Sequence, residues 1–240
     1  MSALTERFLS CLDHAPVVAH VKTETTAQAL RVASACVTAG FQILAIDSLV
    51  PGATDVIAAL AARADTVVGL WGPVTTSELD ALQAGGGAFY LWDPVEAVLP
   101  PSELLGIPWV TSREDAERLD ILSRGAMLCV RHVEGDEGMA RWADIQDAVP
   151  GSTLLASGKI GGDEVGRLVA AGARGVCLSS ALYSEALLRS QDYRAVRDYA
   201  AAVHREAAQL ARRRGQTGHY RTRCASPAAR RRPSGCAARC

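Results

Sequence analysis

Eight short apolar segments, each followed by a stretch of helical periodicity, run through this chain between residues 17 and 207. Few folds accept that pattern. Short apolar runs without polar alternation read as strands buried on both faces, and such strands belong to parallel sheets covered by helices. The expected strands are 17–21, 42–46, 66–70, 88–92, 107–110, 126–131, 153–156 and 175–178. Eight strand–helix units close into a barrel more naturally than they spread into an open sheet. The fold class is therefore α/β, a single (β/α)8 TIM barrel. A length of 240 residues suits it, since such barrels need about 250 as one domain. An initial helix over 2–13 precedes the first strand. Helices follow at 25–39, stopped by Gly40, and at 53–63, 113–122, 138–148, 163–171, 181–188 and 193–210. A weaker one over 94–105 is interrupted by Pro100 and Pro101. The runs Thr75-Thr76-Ser77-Glu78 and Thr111-Ser112-Arg113-Glu114 each carry the pattern of a helix start.

Hydrophobic residues make up 49% of the chain and aromatics 5%, so the core must be built from Ala, Val, Leu and Ile. No apolar run approaches the ~18 residues that cross a bilayer. The first residues lack the basic and apolar regions of a signal peptide, so a cytoplasmic protein with no membrane partner is expected. The net charge of −1 hides an asymmetry: from Arg212 to Cys240 there are nine Arg and no Asp or Glu. The first 211 residues hold 16 basic against 26 acidic side chains. With no Val, Ile, Leu, Met, Phe or Trp, the segment 212–240 is expected to be a disordered Arg-rich tail after a barrel of 1–211. No aromatic-studded basic surface accompanies it, so nucleic acid is not the expected partner. Seven cysteines form no CxxC pair, which leaves zinc and thiol–disulfide readings without support.

In such barrels chemistry sits at the carboxyl ends of the strands. Several polar residues fall there. The chain has two lysines, Lys22 and Lys159, against 23 arginines. Lys22 ends the first strand and Lys159 follows the seventh. An arginine cannot form an imine, so a lysine retained in an arginine-rich chain is a candidate Schiff-base amine, provided that burial or a neighbouring cation frees it. Asp47 follows the second strand and His132 the sixth, and both can move protons. His20 lies on the first strand and points either to the lumen or to the helix layer. Trp71 and Trp92 end the third and fourth strands and can wall a pocket or pack under a loop. Gly161-Gly162 can offer N–H groups to a phosphate at a helix start, or form a plain turn. No HxxxH or HxH spacing supports a metal site, and no cofactor is expected.

The segments VVAHVKTETTAQALRVASACVTAGFQILAID, TVVGLWGPVTTSELDALQAGGGAF and LLASGKIGGDEVGRLVAAGARGVCLSSALY resemble the 2-keto-3-deoxy-6-phosphogluconate (KDPG) aldolases. The closing SQDYRAVRDYAAAVHREA is similar to that family's terminal helix. The resemblance implies a small-molecule substrate and, by analogy, a trimer. Glu134 and the turn containing Gly158 match the family pattern, and the resemblance makes them substrate-binding candidates. The departures are as informative. The resemblance places the family's Schiff-base lysine at Cys129, its acid–base glutamate at Ala45 and its substrate-carboxylate arginine at Leu49. Its threonine after the third strand falls on Gly72, and its phosphate-binding Gly-Gly pair on Ser179-Ser180. Cleavage of KDPG by the family's machinery is therefore not expected.

Three functions remain. The first is an aldolase-like carbon–carbon lyase or condensing enzyme on a small 2-oxo acid or sugar phosphate, with its imine moved to Lys159 or Lys22. The second is an isomerase or condensing enzyme that uses Lys22, Asp47 and His132 without an imine. The third is a metabolite-binding pseudoenzyme. Trp71, Glu134, Gly158, Gly161, Gly162, Ser179 and Ser180 are the expected substrate contacts.

Overall fold

Side chains on a strand alternate between its two faces, so a parallel barrel sorts each strand into lumen residues and helix-facing residues. In a computed structural model that describes residues 2–63, 65–94, 103–123 and 127–224, the chain does this eight times. The strands are β1 (Val17–Val21), β2 (Ile43–Asp47), β3 (Val67–Trp71), β4 (Phe89–Trp92), β5 (Leu105–Val110), β6 (Met127–Val130), β7 (Thr153–Ser157) and β8 (Gly175–Leu178). Each pairs in parallel with the next, and β8 returns to β1 through Val17 and Val176, which closes the barrel. The expected (β/α)8 architecture is the observed one.

The helices are α1 (Ala3–His14), α2 (Thr26–Thr38), α3 (Ala53–Ala61), α4 (Thr76–Ala84), α5 (Arg113–Ser123), α6 (Gly135–Ala148), α7 (Val165–Ala170), α8 (Glu185–Ser190) and α9 (Tyr193–Cys224). Local chemistry sets their starts. Thr75 and Glu78 form the reciprocal capping box that their spacing implies. In the second such run the cap is Ser112, whose Oγ accepts from the Asp115 N–H at 3.1 Å. Gly40 ends the turn after α2 at φ +106°, and the His204 ring of α9 lies where a Cβ would stand. That close approach requires glycine.

Three boundaries differ from the sequence reading. The expected helix over 94–105 falls largely on 95–102, outside the described residues, but its last residue begins β5, where Leu105 and Gly106 pair with Phe89 and Tyr90. The helix expected over 181–188 starts at Glu185, because the Ser184 hydroxyl caps it by accepting from the Leu187 N–H. α9 continues past Arg212 to Cys224, and the Arg214 side chain donates to the carbonyls of Val169 and Ala173. The arginines and Gln216 of this stretch favour helix, against the cost of Gly215 and Gly218, so the helix propagates from its anchored part. Residues 225–240 lie outside the described residues.

α1 closes the amino-terminal end of the barrel. Phe8 and Leu12 are buried among the lumen residues, and the Phe8 ring meets Phe89 edge-on at 5.0 Å. The lumen is filled at that level, which confines any cavity within the lumen to the opposite end. Gly69 belongs to this packing. A Cβ there would collide with the Phe89 carbonyl oxygen and with its ring at 2.6 Å. Gly69→Ala should therefore destabilise the barrel by about 1–3 kcal/mol through overpacking. A denaturant midpoint within error of the parent would contradict this.

Candidate functional site

The final lumen-facing residue of each strand, or the one just past it, forms the rim of the carboxyl end. Applied to all eight strands, the alternation brings together His20, Asp47, Trp71, Asp93, Trp109, Arg131, Ser157 and Cys177. One step further lie Lys22, Lys159 and Ser179. These residues line a cavity of about 570 Å³. Below them Ala45, Phe89 and Cys129 fill the lumen. Trp92 has the opposite parity and packs against the outer hydrophobic layer, so it does not wall the cavity.

The centre of the rim is a pair that crosses from β1 to β2. His20 Nε2 lies 3.1 Å from Asp47 Oδ2. The two side chains are 12% and 7% exposed, so water screens the pair poorly. The second Asp47 oxygen accepts from the Leu49 N–H at 3.0 Å. The His20 ring stacks on Trp71, with centroids 4.2 Å apart and planes 18° off parallel. Burial pushes the His20 pKa below its ordinary value and outweighs the pull of Asp47 in the other direction. Burial works to raise Asp47, but its hydrogen bonds from His20 and Leu49 and the nearby charges hold it below the usual carboxylate value. Both shifts describe a neutral imidazole beside an ionised carboxylate. A carboxylate only accepts, so Nε2 carries the proton and Nδ1 keeps the basic lone pair.

The backbone under this pair is pinned. The Tyr183 hydroxyl donates to the His20 carbonyl at 2.9 Å and accepts from the Lys22 N–H at 2.6 Å. Burial pushes the Tyr183 phenol up to about 12, so it stays a donor at any ordinary pH. It also approaches the Ser179 hydroxyl at 3.4 Å.

The two lysines sit on the rim as the sequence implies, but the side chains of Lys22 and Lys159 are both exposed. An imine-forming amine works best when desolvated, and among the described residues neither lysine is enclosed. His132 also reaches the rim, 56% exposed, with its Nδ1 3.7 Å from Glu134 Oε1. Its backbone is left-handed at φ 57°, an uncommon conformation for a residue with a side chain. Glu134 does not line the cavity. It lies against Gly158, where a Cβ would strike its carboxylate. The two positions that match the KDPG aldolase pattern thus touch each other. Ser179 and Ser180 line the cavity, and so does Gly158.

Gly161 and Gly162 need correction as phosphate-binding candidates. The Gly161 N–H is already taken by Glu164 Oε2 at 2.9 Å, and Gly162 is buried facing Tyr199 and Val203 of α9. They form the entry to α7, away from the cavity. Cys129 and Cys177 are buried in the lumen. The hydrogen bond between them, together with burial, pushes the Cys177 thiol well up, which makes it a poor nucleophile. No group of three or more His, Cys, Asp or Glu able to hold a metal ion occurs among the described residues. Among those residues, no helix is long and apolar enough to cross a membrane.

The sequence reading left the direction of His20 open and did not single out Trp109, Arg131 or Ser157. A signal for all four was present. Counting by two from lumen residues of each strand leads to them.

No family model matches this chain, and no curated protein matches it by sequence. Solved structures do. The KDPG aldolase of Legionella pneumophila, with pyruvate captured as a covalent carbinolamine, matches with a TM-score of 0.67 at 16% identity, over 82% of this chain and 97% of that one. The 2-keto-3-deoxy-6-phosphogluconate aldolase of Zymomonas mobilis ZM4 matches with a TM-score of 0.68 at 19% identity, over 84% and 96%. A thiamine phosphate pyrophosphorylase of Pyrococcus furiosus matches with a TM-score of 0.54 at 16% identity, over 80% and 98%. At these identities the likeness is one of fold: this chain has the barrel of the KDPG aldolases.

Proposed function

We propose that this protein is a proton-transfer enzyme on the aldolase-like barrel, an isomerase or a carbon–carbon lyase or condensing enzyme that works without an imine. Its substrate is a small anionic carbonyl compound. The observation that carries the reading is the buried His20–Asp47 pair at the cavity, with its base neutral and its tautomer set. In the proposed step, His20 Nδ1 takes a proton from the carbon beside the substrate carbonyl. The C–H electron pair moves into the carbonyl, and an enolate forms. Asp47 orients the imidazole and stabilises it once it is charged. Lys22 lies close enough to act on the charge of both residues and lends positive potential where the enolate forms.

The imine alternative has less support, because an imine-forming amine works best when desolvated and both Lys22 and Lys159 are exposed. The family positions give the same answer. Cys129 and Ala45 are buried where the resemblance would place lysine and glutamate, and Leu49 is 70% exposed where it would place arginine.

Two measurements on one panel of 2-oxo acids test the proposal. In heavy water, the protein should exchange the proton beside the carbonyl. Treatment with borohydride and substrate should leave both lysines unmodified by peptide mass. A borohydride adduct on Lys22 or Lys159 would establish the imine route instead. Binding without exchange or adduct would establish a metabolite-binding protein.

A further inference from the structure

Asp47 is committed to His20, and beside Asp93 the cavity lining carries three cations, Lys22, Arg131 and Lys159. Arg131 is the one among them with a fixed orientation. It continues β6 two residues past Cys129 and so emerges on the lumen side, at the cavity. Its guanidinium carbon lies over the Trp109 ring, 4.4 Å from the centroid. Stacking of this kind holds the guanidinium plane and leaves its N–H edges free for a planar, two-oxygen acceptor. Among the described residues, no carboxylate pairs with it. The indole beneath is equally unfinished. Trp109 is 8% exposed and its Nε1 is buried without a hydrogen-bond partner among the described residues. A donor left in that state costs about 1–3 kcal/mol, and native structures seldom leave it so without a ligand or water to meet it.

These two features adjoin. Trp109 in turn contacts Trp71, with centroids 5.6 Å apart, and Trp71 carries His20 on its face. The cavity therefore has one aromatic wall with a cation at one end and a base at the other.

We propose that Arg131 and the Trp109 indole N–H form the subsite that receives the substrate's carboxylate. The ligand class is a small carboxylate that bears an oxygen on the neighbouring carbon. The inference rests on the proton-transfer reading for the role of the far end, but the subsite itself is defined by β5 and β6 alone. A carboxylate fits this place better than a phosphate ester. Phosphate sites draw on runs of open backbone N–H groups. Beside Arg131 they are already used: the Arg131 N–H is bonded to the Val110 carbonyl and the Val133 N–H to that of Ser157. A carboxylate held here places the next carbons along Trp71, toward His20.

The test is an indole N–H titration of the full chain labelled with ¹⁵N-tryptophan. The protein has four tryptophans, and Trp109→Phe identifies the relevant resonance by its loss. The probes are pyruvate, methyl pyruvate and inorganic phosphate. Pyruvate should move the Trp109 resonance saturably, while methyl pyruvate and phosphate should leave it in place. Arg131→Gln should weaken the pyruvate midpoint at least tenfold, with the other indole resonances unmoved as evidence that the fold persists. His20→Ala should keep the midpoint and lose deuterium exchange. The subsite is overturned if pyruvate leaves Trp109 unmoved, if phosphate moves it as strongly, or if Arg131→Gln binds as tightly. Titration without exchange in the parent protein would sink the proton-transfer reading and leave the subsite standing. Exchange with an unmoved Trp109 would do the reverse.

Discussion

His20→Ala is expected to lower turnover by about 10²–10⁴-fold, the usual contribution of a positioned acid–base group. KM should change little, because the imidazole acts on the proton rather than holding the substrate. Asp47→Asn should fall within the same range for a different reason. An amide can donate where the carboxylate only accepts, so the imidazole is free to turn its basic nitrogen toward residue 47. The pH profile supplies a third arm. His20 must be unprotonated to act, and burial places its pKa below the ordinary histidine value. Activity should therefore be complete above that ordinary value and be lost only as the pH falls through the lower one. Full turnover in His20→Ala, on a substrate that the parent converts, would remove the proposed base. An acid limb centred above the ordinary histidine value would contradict the buried, neutral imidazole.

Trp142→Ala should be the most damaging single change to the fold. Trp142 lies on α6, is 1% exposed, and packs within the layer between strands and helices. Its Nε1 donates to the Ala171 carbonyl at 3.0 Å, which fastens α6 to the turn after α7. Removing so large a buried side chain leaves a cavity and typically costs about 3–5 kcal/mol. For a domain of this size that is a fall of about 6–20 °C in melting temperature. A smaller loss is expected for Trp142→Phe, which keeps most of the volume and gives up the hydrogen bond. Equal losses in the two variants would mean that the hydrogen bond, not the packing, governs the site. A shift below 2 °C for Trp142→Ala would contradict the packing argument.

Much of the barrel was legible from the order of residues. A strand buried on both faces must be apolar throughout, so β1 and β8 could be read to their terminal residues. The capping box of α4 was legible because Thr75 and Glu78 satisfy each other locally. Boundaries set by distant partners were harder. β5 begins at Leu105 because β4 offers a neighbour there, and no local pattern announces that. α8 begins late because Ser184 competes as a cap with the residues before it.

The candidate site divides along the same line. Position along a strand is a local property, so the sequence determined that Lys22, Asp47, Trp71, His132, Lys159 and Ser179 would stand at the carboxyl rim. Partnership is not local. His20 and Asp47 are 27 residues apart, and only closure of β1 against β2 brings the imidazole onto the carboxylate. The stacking of His20 on Trp71 and of Arg131 on Trp109 likewise needs the curvature of the closed barrel. Burial was decided in three dimensions too. The lysines, chosen by their scarcity, end in water because the chain leaves the barrel wall at them. His20 sits two residues earlier on the same strand, with walls around it, and there the low dielectric can tune an acid–base pair.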